Sequence, residues 1–108
     1  MVFEETSIFT KRVTALLHDD SYAALQHHLV QHPDAGDVIR GSGGLRKVRW
    51  SRPGQGKRGG VRVITYARAE GGQVWLLIGY TKARFDKLPT EFLVNLRKEM
   101  DDAQDDGP

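Results

Sequence analysis

The chain has 108 residues, 39% of them hydrophobic and 28% charged, with sixteen Lys and Arg against fourteen Asp and Glu and no cysteine. This is enough for one soluble domain with a usable core, and it excludes disulfides and thiolate metal sites. No apolar run approaches the ~20 residues of a membrane span, and Glu4 and Glu5 stand where a signal peptide would be basic, so the expected compartment is the cytoplasm.

Val2 to Glu5 reads as a short edge strand. Ser7 is the expected N-cap of a first helix, with Ile8, Phe9, Val13, Leu16 and Leu17 near helical spacing. Asp19 or Asp20 is expected to cap a second helix, with Tyr22, Leu25, Leu29 and Val30 as its apolar stripe and Pro33 as its stop. The two form an αα-hairpin. Residues 34–44 read as a loop rich in Gly and Asp, and strands are expected over 45–51 and 60–68. Glu70-Gly71-Gly72 is a hairpin turn. The run VWLLIGYT, residues 74–81, should be a central strand, followed by a polar loop from Lys82 to Leu88. Pro89 or Thr90 starts a last helix with Phe92, Leu93, Leu96 and Met100 on one side, and residues 101–108 read as a frayed acidic tail. The predicted order is β-α-α-β-β-β-α. The predicted class is α+β, a single domain over 1–108 in which an antiparallel sheet carries its helices on one side.

The small net charge of +2 hides strong segregation. Residues 1–39 hold two bases and six acids, residues 40–87 twelve bases and two acids, and residues 88–108 two bases and six acids. Within this pattern, Arg40 to Arg68 carries nine of the sixteen bases and no acid. Side chains two apart in a strand share a face, so Lys47, Arg49 and Ser51 point one way and Val48 and Trp50 the other. Arg62, Ile64 and Tyr66 likewise share a face. The intervening PGQGKRGG adds Lys57 and Arg58 in a glycine-rich loop. Unopposed cations on rigid strands suit a polyanion, and the segregated basic third is the electrostatic footprint of a nucleic-acid binder.

The letters G-x-G-x-x-G at 54–59 lead into a β-branched strand, whereas the dinucleotide fingerprint must open a helix. GSGG at 41–44 lacks the Lys-Ser/Thr of a P-loop. His28 and His32 stand four apart on the second helix, a spacing that suits a metal, but no third ligand is evident, so no metal or cofactor is expected. The basic stretch contains no His, and its only neighbouring carboxylates in sequence are Glu70 and Asp86. Cations alone still support one chemistry, cleavage of RNA by its own 2′-hydroxyl. Arg stabilises the doubly charged phosphorane-like state. Lys accepts the hydroxyl proton where neighbouring cations depress its pKa, and Tyr stacks on a base or donates a proton.

Three segments, GDVIRGSGGLRKVRW, GKRGGVRVITY and LLIGYTKARFDKL, together resemble the RelE superfamily of bacterial toxins, and most closely its HigB branch. The likeness covers residues 3–100, and the combination of GGLRK with GKRGG-x-R carries it. The resemblance implies a microbial RNase fold and metal-independent cleavage of mRNA in the ribosomal A site. It also implies contact with rRNA and inhibition by a cognate antitoxin, a helix-turn-helix protein of the HigA type. By position, the family's strand lysines fall on Lys47 and Arg49, its phosphate-clamping arginine on Arg62, and its late basic residue on Lys82. Arg46, Lys57, Arg58, Tyr66, Tyr80 and Arg84 are the expected RNA contacts around them. Thr65-Tyr66 stands where the family often has Tyr-Tyr, and Leu88 where the RelE branch has its C-terminal tyrosine. The leaving-group acid is thereby left open, with Tyr80 and Tyr66 as substitutes. The alternative reading is a non-catalytic RNA- or ribosome-binding module on the same fold.

Overall fold

The computed structural model describes residues 1–51, 60–68, 72–84 and 88–105, with side chains described up to Asp102. In chain order the elements are β1 (Val2–Glu5), α1 (Ser7–Leu16), α2 (Asp19–Gln31), β2 (Asp37–Val38), β3 (Arg46–Trp50), β4 (Val61–Arg68), β5 (Gln73–Thr81) and α3 (Thr90–Asp105). The strands form one five-stranded sheet in the order β1-β5-β4-β3-β2. The pairs β2–β3, β3–β4 and β4–β5 are antiparallel, and β1 lies parallel to β5, so the sheet is mixed rather than antiparallel throughout. Among the described residues no helix is long and apolar enough to cross a membrane.

The helices occupy both faces of the sheet, not one. β5 explains this, because Val74 to Tyr80 is buried without interruption, and a strand apolar on both sides needs cover on both. Phe9, Val13 and Leu17 at α1 and Leu25 and Leu29 of α2 pack on Val48, Val61, Val63, Val74 and Leu76. Leu93, Leu96 and Met100 of α3 pack on the other face, over Leu45, Ile64, Trp75, Leu77 and Ile78. Val30, expected in the stripe of α2, is 48% exposed, since the helix turns Leu25 and Leu29 to the sheet instead.

The register of β4 against β5 steps from Ile64↔Ile78 to Thr65↔Leu76, which leaves Leu77 as an extra residue on β5, a β-bulge. Thr6 meets it. Its hydroxyl donates to the Leu77 carbonyl at 2.6 Å and accepts from the Phe9 amide at 3.2 Å. Thr6, not Ser7, is therefore the N-cap of α1, and one side chain ties a helix start to the irregular point of the sheet. Close approach of α1 to β5 also depends on Gly79, where a Cβ would sit 3.1 Å from Leu16 Cδ1.

Three further expectations are revised. The N-cap of α2 is His18, with no side-chain cap bond, and Asp19 and Asp20 lie in the first turn, where carboxylates favour the positive end of the helix dipole. The loop 34–44 contains β2, entered through Gly36. That residue has φ +91, and a Cβ there would fall 2.5 Å from the Lys47 carbonyl oxygen. The acidic tail is helical as far as Asp105, because Asp101 is held by Arg68 at 2.8 Å and by Arg97 at 3.3 Å. Glu70 and Gly71 of the predicted hairpin turn lie outside the described residues.

Thr6→Ala removes the helix cap and leaves the Leu77 carbonyl without its donor. A loss of about 2 kcal/mol is expected, read as a lower urea midpoint at unchanged slope. Thr6→Ser keeps both bonds and is expected to retain most of the stability. A loss for Thr6→Ala under about 0.5 kcal/mol would show that the bulge does not depend on Thr6.

Candidate nucleic-acid interface

Residues directly opposite in an antiparallel pair share a face. Arg49 is opposite Arg62, and Arg62 is opposite Tyr80, so these three form a row across β3, β4 and β5. One step along, Asp37 is opposite Lys47, and Lys47 is opposite Ile64. Both rows lie on the face that carries α3, whose apolar cluster takes in Ile64 and Tyr80. The bulge at Leu77 is what brings Tyr80 there. With unbroken alternation from Leu76, Tyr80 would face α1 instead.

Tyr80 is 4% exposed and lines a groove of about 300 Å³ with Lys47, Arg40, Ile64, Leu88 and Leu93. Burial pushes its phenol above the usual tyrosine value, and the neighbouring Arg62 and Arg49 guanidiniums pull less strongly the other way. Leu88 is buried in the wall of the same groove. Lys82 and Arg84 are exposed on the turn after β5, whose last residue, Thr81, pairs with Val61, at the same end of the sheet as Arg62.

Not every expected residue joins this cluster. Arg46 lies on the opposite face, opposite Thr65, and its guanidinium donates to the Gly36 carbonyl at 3.1 Å. Tyr66 is on the correct face but four residues from Arg62, about 13 Å along the strand. The Arg97 guanidinium lies 4.1 Å from its ring centroid and that of Arg68 lies 5.7 Å away, so Tyr66 is engaged with the end of α3. Lys57 and Arg58 lie outside the described residues.

Two further residues, Asp37 and Arg40, join the basic face without a signal in the sequence. Asp37 enters the basic face because β2 pairs with β3, which corrects the expectation that Glu70 and Asp86 are the only nearby carboxylates. A two-residue strand inside a Gly- and Asp-rich loop carries no periodic signal. Arg40 reaches the groove beside Tyr80 from the same loop. His28 and His32 belong to α2 and its C-terminal end, on the side of the sheet opposite these rows. Their rings contact each other at 5.1 Å, and His28 contacts Trp50 at 5.5 Å. Among the described residues no group of three or more His, Asp or Glu is placed to hold a metal ion. No protein-family profile matches the chain.

A face on which Lys47, Arg49, Arg62, Lys82 and Arg84 share one polyanion binds by counterion release. Affinity for single-stranded RNA is expected to fall with a log–log salt slope of about −2 to −4, measured by anisotropy between roughly 50 and 200 mM salt. A flat affinity over that range would remove the electrostatic reading.

Proposed function

We propose that the protein is a ribosome-dependent endoribonuclease, the toxin of a toxin–antitoxin pair of the RelE/HigB type, which cleaves mRNA in the ribosomal A site through the RNA's own 2′-hydroxyl. The observation that carries this reading is the cross-strand row of Arg49, Arg62 and Tyr80, two guanidiniums and a buried phenol on paired strands. The basic surface around it engages rRNA and mRNA in the cytoplasm, and a HigA-like helix-turn-helix antitoxin restrains it.

In the reaction the 2′-oxygen attacks phosphorus and the bond to the 5′-oxygen breaks, leaving a 2′,3′-cyclic phosphate and a 5′-hydroxyl. The proton of the 2′-hydroxyl passes to the Asp37 carboxylate, which Lys47 faces across the β2–β3 pair. This gives the first proton a carboxylate acceptor, and Lys47 serves to hold that acceptor and the substrate phosphate. Arg49 and Arg62 meet the non-bridging oxygens, and their contribution grows as the second negative charge develops. Tyr80 donates the proton to the leaving 5′-oxygen. A tyrosine phenol carries its proton at neutral pH, burial raises its pKa further, and its position beside Arg62 favours it over Tyr66.

Arg62→Ala is expected to slow cleavage by about 10²-fold or more in a translation reaction with mapped mRNA 3′ ends, while ribosome binding falls much less. Arg62→Lys restores only part of the rate, because an ammonium lacks the bidentate fork. Full cleavage by a folded Lys47→Ala, Arg62→Ala double variant would end the catalytic reading and leave the RNA-binding module.

Tyr80→Phe and Asp37→Asn separate the two protons. Each is expected to slow cleavage by about 10²-fold. A substrate with sulfur in place of the 5′-oxygen leaves without protonation, so it should rescue Tyr80→Phe and not Asp37→Asn. Equal rescue of both, or of neither, would refute the assignment of the acid.

A further inference from the structure

The cationic row does not end at the sheet face. A second cleft, of about 330 Å³, is lined by Arg49, Trp50, Ser51, Gly60, Val61 and Arg62. Its volume falls in the roughly 300–1,000 Å³ range of small-ligand sites. Among the described residues Trp50 is the one large aromatic side chain in this wall, and it is held rigidly. Its indole Nε1 donates to the Ser21 carbonyl at 3.2 Å, and the His28 ring lies against it at 5.5 Å. The side chain is only partly buried and rests on the α1/α2 core.

An oriented indole beside two guanidiniums is a pairing of specific chemistry. The guanidiniums take a phosphate, and an aromatic face takes a base, since every base has a π-face and stacking needs no hydrogen-bond code. Both halves are fixed by neighbouring residues of the same strand, Arg49 and Trp50, whose side chains leave on opposite faces. A nucleotide that meets both must hold its base out of the stack with its neighbours. Single-stranded RNA presents a base in this way, and a duplex with its bases stacked does not.

We propose that this cleft is a nucleobase subsite, in which the base next to a phosphate held by Arg49 and Arg62 stacks on Trp50, so that the protein selects unpaired RNA. The proposal rests on the reading that the cationic face binds RNA. It does not require that the RNA be cut.

The probe is a single-stranded tetranucleotide with every 2′-hydroxyl methylated, which keeps bases and phosphates and cannot be cleaved. Tryptophan emission is expected to be quenched saturably, and the response should persist in Trp75→Phe and vanish in Trp50→Phe, where only the buried Trp75 still reports. An abasic oligomer of equal charge should bind the unaltered protein about tenfold more weakly, and Trp50→Leu should erase that difference. Equal affinity for the base-bearing and abasic oligomers would overturn the subsite, as would absence of saturable binding or tighter binding of a free nucleoside monophosphate than of the oligomer. Quenching and base selectivity in a protein that leaves mRNA intact on ribosomes would uphold the subsite and refute the nuclease.

Discussion

The arrangement depends on a hydrogen bond between residues 71 apart, from the Thr6 hydroxyl to the carbonyl of Leu77. Leu77 is the extra residue on β5, and an extra residue reverses the parity of everything after it. Before the bulge, Val74 and Leu76 face α1 and α2; after it, Ile78 and Tyr80 face the side of α3. The same hydroxyl caps α1, and the Thr6 amide donates to the Leu76 carbonyl at 3.1 Å. One threonine thus fixes the end of β1, the start of α1 and the point where β5 changes faces. The row of Arg49, Arg62 and Tyr80 follows from that change.

Two neighbouring features keep the face open at one end and closed at the other. At the closed end Arg97 lies over Tyr66, bonds Asp101 and donates to the Gly43 carbonyl, while Arg68 bonds Asp101 from β4. These contacts anchor the C-terminal half of α3 above Tyr66 and Trp75. At the open end the helix begins at Thr90 beside Leu88 and Tyr80, where cover gives way to groove. The split keeps the cations near solvent. A guanidinium fully roofed by a helix would carry a desolvation cost that no described carboxylate in the row offsets.

Much of this was legible in the sequence. The facing of Lys47 with Arg49, and of Arg62 with Ile64 and Tyr66, follows from local alternation, which a strand obeys whatever its neighbours are. The helices were legible from apolar spacing for the same reason. The burial of both sheet faces was only implicit in VWLLIGY, because a run without alternation fits either a central strand or a buried helix segment. The bulge could not be read, since nothing within that run distinguishes Leu77 from Leu76. Nor could the pairing of Asp37 with Lys47, which is set by Gly36 and by the loop that follows β2. Asp101 reads as tail in the sequence because its partners, Arg68 and Arg97, are meaningful only once β4 and α3 lie side by side.

The parallel pairing of β1 with β5 also governs the order in which the molecule is completed. Val2 to Glu5 find their partners in Gln73 to Leu76, so this strand has no neighbour until those residues have been made. The apolar sides of α1 and α2 wait likewise for Val61, Val63, Val74 and Leu76. Contacts of such sequence separation form late, after the entropy of closing a long loop has been overcome. A ribosome making this protein therefore carries an N-terminal third without a sheet beneath it, and the cationic row lacks its last member until Tyr80 has been added. The newborn chain is incomplete at its candidate site for nearly as long as it is incomplete as a fold.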